Sequence, residues 1–229
     1  MIPLHDDNPT SIVPVVTIAI IVLCALVFFW ELSLGPAAEM AFYSYGAVPA
    51  VVFGGKSLPP RLDLIPAWAT VFTSMFMHGG WMHIIGNMLY LWIFGNNVED
   101  AMGHKRFIVF YLLCGVIAFL AHGMGNINSE VPTVGASGAI SGVLGAYLLL
   151  HPYARVLVVI PLGFFLYTTR FPAGLVLAFW FGFQLLSSAA TPADQAGIAF
   201  GAHIGGFIAG MALIPFFKYK RVKLFSQQK

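Results

Sequence analysis

A serine and a histidine, each with a glycine within two residues on both sides, are the two side chains of this sequence best suited to covalent chemistry. Ser137 lies in the stretch VGASGAISGVLG, and His203 lies in GAHIGGFIAG. A serine hydroxyl is a weak nucleophile until a base removes its proton, and a neutral imidazole is the usual base. If the fold brings these two side chains together, they form a nucleophile and a base for acyl transfer.

Glycine spacing gives a physical reason to expect Ser137 and His203 to lie close together. Glycines at 201 and 205, and at 206 and 210, have the spacing that lets another helix approach closely, and Gly138 and Gly142 share it. We therefore predict that the helix carrying Ser137 packs against the helix carrying His203. Ser141 then lies one turn deeper and is interpreted as a residue that packs or that supports the site from behind. Helix packing alone would also explain the glycines. The case for a catalytic Ser137–His203 pair therefore depends on whether other polar groups converge on the same place.

Two hydrogen-bond donors in the stretch HGGWMHIIGNMLYLW are predicted to converge on the same place. His83 and Asn87 are four residues apart, so they share one face of a helix. Side-chain donors of this kind hold the negative charge of a tetrahedral intermediate. Ser137 is predicted to begin its helix, where its own backbone N–H has no intrahelical partner and adds a third donor. His78 is interpreted as structural.

Other chemistries have weaker support in the sequence. The zinc motif HExxH is absent, and position 139 is alanine where the hydrolase motif GxSxG needs glycine. A metal or haem site built from His78, His83 and His203 has no cysteine or carboxylate close by in sequence. We therefore predict a site without metal or cofactor.

These side chains must be positioned by membrane helices, because the composition is unlike that of a soluble domain. Of the 229 residues, 59% are hydrophobic and 9% are charged, whereas soluble domains average about a quarter charged residues. Charged residues separate apolar segments of roughly the 20 residues that a membrane helix needs. The predicted helices cover 11–30, 68–97, 106–124, 136–151, 171–188 and 197–217. The fold class predicted is an all-α polytopic membrane protein.

The basic residues predict how these helices are oriented. A membrane domain over 11–217 lies between a short N-terminal segment, 1–10, and a basic tail, 218–229. Nine of the eleven Lys and Arg residues fall on the side that holds both termini, which the positive-inside tendency makes cytoplasmic. The other two lie in a long first loop, 31–63, predicted to be extracytoplasmic. Val156–Thr169 is too short to span and is interpreted as interfacial or re-entrant.

Three motifs together resemble the rhomboid intramembrane serine proteases. They are HGGWMHIIGN, GASGAISG and AHIGGFIAG, and FGNNVEDAMGHKRFIVFYLLCG also looks like the family's connection between its second and third helices. The matching stretches cover most of Trp68–Leu213. The resemblance implies a six-helix bundle with a water-filled cavity that opens to the outer face. It also implies cleavage of transmembrane helices that unwind at small residues, with no metal or nucleotide.

The resemblance also implies a role for each site residue. Ser137 matches the nucleophile, and His203 matches the general base that later acts as general acid. His83 and Asn87 match the side-chain oxyanion donors, joined by the Ser137 backbone N–H. The supporting glycines around the site are Gly135, Gly138 and Gly206.

Two departures from the family pattern bear on the site. Some members have a Trp-Arg pair in the first loop, and none occurs between Glu31 and Trp68, although Arg61 is a partial substitute. Some members carry tyrosine at position 141, stacked on the catalytic histidine. Here Ser141 stands there, so another group must orient His203.

The resemblance leaves a second function open. The same fold serves relatives that bind membrane proteins without cutting them, and these typically lack the dyad, so the presence of Ser137 and His203 favours the enzyme. A transporter or channel is disfavoured because we find no internal repeat. The expected partners are membrane-protein substrates and the lipid bilayer, with no nucleic acid. A bacterial inner membrane and an organelle membrane both satisfy the predicted orientation, and the bacterial membrane is the expected location. The region around Phe183 with the loop 187–195 is predicted to gate access.

Overall fold

The computed structural model describes residues 1–163, 165–190 and 199–226, and most of these residues are helical. Short 3-10 turns occupy Gly35–Ala37 and Ser74–Phe76. The elements are β1 (Ile2–Asp6), α1 (Val15–Ser33), α2 (Ala38–Tyr45), α3 (Pro49–Val52), α4 (Ala67–Thr73), α5 (Trp81–Met102), α6 (His104–Met124), α7 (Ser137–Leu150), β2 (Arg155–Leu162), β3 (Phe165–Pro172), α8 (Ala173–Ala190) and α9 (Phe200–Phe217). Within the described ranges, four helices are long and apolar enough to cross a membrane, namely α1, α6, α8 and α9.

Helix α7 lies at the centre of the bundle and packs against α9, α6 and α5. Its side chains are small at the N-terminal end and large at the C-terminal end, where Leu144, Tyr147 and Leu150 are fully buried. The small residues let neighbouring helices approach, and the large ones fill the space where the helices diverge. The fourth predicted helix is therefore the core of the fold.

The approach of α9 to α7 is set by glycines, as the sequence predicts. A methyl group at Gly206 would overlap the carbonyl of Gly138, and one at Gly210 would overlap the carbonyl of Gly142. The two pairs lie one turn apart, so the backbones are in contact over at least that length. This contact fixes where the first turn of α9 stands relative to the first turn of α7.

The expectation of an all-α chain is wrong in one region, where the chain forms a three-stranded antiparallel sheet in the order β1, β2, β3. Val156–Thr169, interpreted from sequence as interfacial or re-entrant, forms most of the β2–β3 hairpin, and Ile2–Asp6 pairs along its other edge. The run VLVVI is rich in β-branched residues, which favour strands, and Gly163 takes a φ of +61° at the turn.

The predicted second helix, 68–97, is also corrected, because the structure divides it. Helix α4 and a 3-10 turn end at Phe76, the chain is extended at Met77, and α5 begins only at Trp81. The two glycines before Trp81 have little helical propensity, which accounts for the break. The first two turns of α5 therefore contain His83 and Asn87.

Hydrogen bonds gather both termini and two interhelical connections at one end of the bundle. The Tyr219 N–H donates to Ala101 at the α5–α6 connection, and the Ser226 N–H donates to Leu150 at the end of α7. Strand β1 joins the same end by pairing with β2. At the other end, Ala47 in the first loop bridges to Thr133 in the α6–α7 loop. The two ends are thus organised by separate sets of backbone contacts.

A buried carboxylate joins α5 to the start of α1. Helix α5 continues beyond the predicted end at 97, so Glu99 lies inside it and is fully buried. Its oxygens accept the backbone N–H groups of Val16 and Thr17 at 2.9 and 2.8 Å, and Nδ1 of His104 lies 2.5 Å away. Free N–H groups and the helix dipole make the first turn of α1 a favourable place for this negative charge.

Candidate active site

Ser137 and His203 meet where α7 and α9 begin. The Ser137 Oγ lies 2.8 Å from the His203 Nε2, a normal hydrogen-bond distance. Helix α7 begins at Ser137 itself, and His203 lies in the first turn of α9. The glycine contacts between these helices bring the two side chains from 66 residues apart in sequence to one place.

The Ser–His pair lies in the wall of a cavity of about 860 Å³. Its lining is mostly apolar and includes residues from the 3-10 turn before α5 and from helices α5 to α9. The polar side chains among the lining residues are Ser74, His83, Asn87, Thr133, Ser137, Ser141, Gln184 and His203. A largely apolar cavity with a few polar groups on its wall is typical of a site that binds an organic ligand and orients it.

Asn87 presents an amide donor without a partner. Its side chain is 7% exposed, and within the described part of the chain Nδ2 makes no hydrogen bond. A buried unsatisfied donor is costly in a folded protein, so its presence calls for an explanation. Because Asn87 also lines the cavity, the amide is available to a bound group that carries negative charge.

His83 is held next to the Ser–His pair by the shape of the loop before α7. Gly135 has a φ of +125°, and a Cβ there would stand 2.6 Å from the His83 Nε2 and 3.7 Å from the Ser137 Oγ. Only glycine fits that conformation and that space. The Gly135 N–H donates to the Ser74 carbonyl at 2.8 Å, which anchors the loop. Sequence reasoning singled out Gly135 as a supporting residue without finding these contacts.

His78 and Glu31 form a layer behind His83. The His78 ring meets the His83 ring edge-on, with 5.1 Å between centroids. Both carboxylate oxygens of Glu31 lie 3.2 Å from the His78 backbone nitrogen, and the Glu31 residue is 3% exposed. Glu31 was missed because the first helix was predicted to end at 30, which left this acid in a loop. His78 is 1% exposed, and its Nδ1 lies 3.2 Å from the Phe76 carbonyl oxygen; its structural role stays a prediction.

Ser141 is buried and bonds to the backbone of its own helix. Its hydroxyl donates to the Ser137 carbonyl at 2.6 Å, one turn back, which is a common arrangement for serine inside a helix. This contact is compatible with either predicted role, packing or support of the site from behind. Gly138 allows the same turn of α7 to lie against Ala118 of α6, since a Cβ at Gly138 would stand 2.8 Å from the Ala118 Cβ.

Two side chains of α8 that sequence reasoning missed contact His203. Gln184 is 7% exposed, and its Oε1 lies 2.8 Å from the His203 Nδ1. The Trp180 ring stands 6.1 Å from the His203 ring, between centroids. A signal for Gln184 was present, because an amide within the apolar run FWFGFQLL is costly in a membrane and therefore a candidate by default.

The remaining predicted features are only partly described. Arg61 is exposed in the first loop, where Lys56 pairs with Glu130 of the α6–α7 loop. Of the predicted gating segment 187–195, residues 191–195 lie outside the described residues. Among those described, no group of three or more His, Cys, Asp and Glu side chains is arranged to hold a metal ion.

Comparison with protein families gives one match over most of the chain. Residues 66–220 match the model of the Rhomboid domain. That range contains Ser137, His203, His83 and Asn87. It excludes β1, α1 and the whole first loop, 31–63.

Individual relatives agree with this match. The chain is 33% identical over 163 residues to Rhomboid protease GluP of Bacillus subtilis (strain 168), which covers 71% of this chain and 29% of the relative. It is 28% identical over 189 residues to Rhomboid protein 1, mitochondrial, of Saccharomyces cerevisiae, covering 74% and 51%. Human presenilin-associated rhomboid-like protein, mitochondrial, is 30% identical over 152 residues, covering 62% and 36%. The matches span about half or less of each relative's length.

Proposed function

Because this chain belongs to the rhomboid family, we propose that it is an intramembrane serine protease that cuts membrane segments of other membrane proteins. The observation that carries the proposal is the 2.8 Å contact between the Ser137 Oγ and the His203 Nε2. Beside that contact are a cavity for the substrate backbone and the unpartnered Asn87 amide. These are the parts that acyl transfer requires: a nucleophile, a base and preorganised donors.

The first half of the proposed reaction makes an acyl-enzyme. The His203 Nε2 takes the Ser137 hydroxyl proton while Oγ attacks the scissile carbonyl carbon. The carbonyl oxygen becomes an oxyanion that accepts hydrogen bonds from His83, Asn87 and the Ser137 backbone N–H. His203 then gives its proton to the leaving nitrogen, and the C–N bond breaks to release an amine.

The second half regenerates the enzyme with a water molecule. His203, neutral again, takes a proton from water as the water oxygen attacks the acyl carbon. The same donors hold the second oxyanion. The bond to the Ser137 Oγ breaks, the Oγ recovers the proton from His203, and the carboxylate product leaves. No cofactor takes part in these steps.

The length of α7 supports a reaction below the membrane surface. Its 14 residues extend only about 21 Å, whereas the hydrocarbon core is about 30 Å thick. If the C-terminal end of α7 is at the cytoplasmic surface, Ser137 lies roughly 9 Å inside the opposite edge of the core. Water must then reach Ser137 through the cavity, and the substrate must approach from within the bilayer.

We propose six spans, α1 and α5 to α9, with both termini in the cytoplasm. Five of the basic residues in support are Arg155 and Arg170 in the sheet and Lys218, Lys220 and Arg221 after α9. Their concentration at one end of the bundle is typical of a cytoplasmic face. We further propose that this membrane is a bacterial inner membrane and that the cavity faces the outside.

The proposal is tested by labelling with a fluorophosphonate, which reacts only with an activated serine. The purified protein, Ser137→Ala, His203→Ala and the matched control Ser141→Ala are each incubated with the probe, and the labelled peptide is mapped by mass spectrometry. We expect the wild type and Ser141→Ala to be labelled at Ser137. We expect Ser137→Ala and His203→Ala to be unlabelled, since one lacks the nucleophile and the other its base.

The opposite result would identify a different class of protein. A wild type that folds, reacts no more than Ser137→Ala and cuts no transmembrane reporter would be a membrane-protein-binding relative without protease activity. Labelling at Ser141 instead of Ser137 would contradict the assignment of the nucleophile.

A further inference from the structure

The orientation of His203 requires a partner for the ring nitrogen that does not face Ser137. A histidine acts as base through Nε2 only if the proton of the neutral ring is on Nδ1. Ser141 does not supply that partner, because its hydroxyl donates to the Ser137 carbonyl. The Nδ1 atom lies instead 2.8 Å from the Gln184 Oε1.

The chemistry of an amide oxygen determines which nitrogen carries the proton. Oε1 has lone pairs and no hydrogen, so the contact is a hydrogen bond only when Nδ1–H donates to it. A ring protonated on Nδ1 has its remaining lone pair on Nε2, which faces the Ser137 hydroxyl at 2.8 Å. The two hydrogen bonds of His203 are therefore mutually consistent: the Gln184 contact requires the Nδ1–H tautomer, and in that tautomer Nε2 can accept the Ser137 hydroxyl proton.

The position of Gln184 in α8 gives a second reason to assign it a role. The residue is 7% exposed within the apolar run FWFGFQLL of α8, where an amide that only filled space would cost free energy. The helix also places Trp180, one turn earlier, near the same ring, with 6.1 Å between the ring centroids. Two side chains of α8 thus hold a ring carried by α9.

We propose that Gln184 is a positioning residue for the reaction, a point that rests on the proposed protease function. Its amide oxygen accepts the Nδ1–H bond, keeps His203 in the tautomer that can accept the Ser137 proton, and supports the imidazolium formed on transfer. Gln184 does not touch the substrate. It has the place that a carboxylate has in a Ser–His–Asp triad, without a negative charge.

Two substitutions separate this role from packing. Gln184→Met keeps the length and volume of the side chain but removes the acceptor, and Gln184→Glu restores an acceptor and adds a charge. Leu186→Met, at a site that is 73% exposed on the same helix, is the control. Cleavage of a transmembrane reporter gives kcat and KM for each variant, and thermal unfolding verifies that each one folds.

We expect Gln184→Met to lower kcat about 10-fold with little change in KM, the size expected for loss of one neutral hydrogen bond. Gln184→Glu should recover most of kcat. It should also move the acid limb of the pH–rate profile to higher pH, because a carboxylate favours imidazolium. The other titratable groups facing His203 are His83 of α5 and His122 of α6, and both are unchanged in these variants.

A direct readout of the tautomer does not depend on turnover. In protein labelled with ¹⁵N-histidine, the His203 signals are assigned by comparison with His203→Ala. We expect the wild type to show protonated Nδ1 and unprotonated Nε2, and Gln184→Met to show a mixture of tautomers.

The outcomes distinguish this inference from the protease proposal. A wild type that cleaves, with Gln184→Met at the same kcat and the same tautomer, overturns the role of Gln184 and leaves the protease intact. Equal losses in the Met and Glu variants with an unshifted pH profile also overturn it, since packing alone explains them. Failure of the wild type to cleave or to be labelled overturns the protease proposal itself.

Discussion

The side chains of His83 and Asn87 in the cavity wall differ in how firmly neighbouring residues hold them. His83 is fixed by the Gly135 loop on one side and by the His78 ring on the other. The Nδ2 of Asn87, in contrast, has no hydrogen-bond partner within the described residues. In the proposed mechanism, His83 is therefore preorganised, whereas the Asn87 amide completes its hydrogen bonds only when an oxyanion forms.

Removal of the Asn87 amide tests oxyanion stabilisation more directly than removal of the His83 side chain does. We expect Asn87→Ala to lower kcat about 10²-fold, or less if His83 compensates, because loss of one oxyanion donor has an effect of that order. The change should appear in kcat more than in KM, since the charge develops only in the transition state. Kinetics with a transmembrane reporter measure both.

Asn96→Ala is the matched control, because Asn96 lies in the same helix but not among the cavity residues. Its turnover should stay near that of the wild type. Equal rates for Asn87→Ala and the wild type would remove Asn87 from the oxyanion site.

The side chains found from sequence share one property. Ser137, His203, His83 and Asn87 are polar groups within apolar helices, and such groups are rare enough to be recognised one by one. Gln184 had the same property and was overlooked. Glu31 was harder to find, because its significance depends on whether α1 ends before or after it, and helix ends are the least certain part of a sequence prediction.

Between helices, the contact of α7 with α9 decides whether the Ser–His pair forms. Both side chains belong to the first turn of their helices, and the glycine pairs lie directly below them. A small shift of α9 along or away from α7 therefore changes the distance between the Ser137 Oγ and the His203 Nε2. Activity and helix packing are thus coupled at this contact.

A methyl group at Gly206 tests this coupling. Gly206→Ala would overlap the backbone carbonyl of Gly138, which cannot rotate away, so α9 must move. We expect lower stability by about 1–3 kcal/mol, the usual effect of overpacking, together with a large loss of turnover. Thermal unfolding and reporter cleavage measure the two effects.

Gly182→Ala is the matched control, since a Cβ at that position of α8 meets nothing within 4 Å. It should be as stable as the wild type or slightly more stable. A Gly206→Ala protein with normal stability and normal turnover would contradict the close-packing account.

Sequence reasoning about whole elements succeeded where a local residue pattern marks the contact and failed where no such pattern exists. The contact of α7 with α9 was predicted because GxxxG spacing marks a close-packed face within each helix. The β2–β3 hairpin was missed because a short apolar run has no clear period that distinguishes strand from helix. Strand β1 pairs Ile2 with Val159, and no residue pattern within the first ten residues predicts pairing with a strand so distant in sequence.

The three-stranded sheet lies at the end of the molecule that carries Arg155 and Arg170. Strand β1 brings Asp6 to α7, where the Tyr147 hydroxyl donates to the Asp6 Oδ2 at 2.5 Å. Asp6 is 3% exposed, and burial raises its pKa above the ordinary value of 3.8, while the Tyr147 hydrogen bond acts in the opposite direction. The chain's N-terminal strand is therefore attached to the bundle through an ionisable group.

This attachment predicts a pH dependence of stability. A carboxyl whose pKa is raised by folding contributes stability that is fully present below its unfolded pKa and is lost as pH rises through the folded value. In Asp6→Asn that loss cannot occur, so the melting temperature of the variant minus that of the wild type should increase from pH 4 to pH 7. Tyr147→Phe removes the hydrogen bond to the ionised form and should make the decline steeper. An Asp6→Asn protein whose melting temperature follows the same pH course as the wild type would contradict this account.

The central claim concerns Ser137 and His203 acting together inside a membrane, and cleavage in liposomes tests it most directly. The wild type, Ser137→Ala and His203→Ala are each reconstituted with a single-span reporter, and the products are mapped by mass spectrometry. The account predicts that the wild type cuts a peptide bond within the span, and that both variants are slower by at least about 10³-fold. No product with the folded wild type, or the same product at an equal rate with Ser137→Ala, would contradict it.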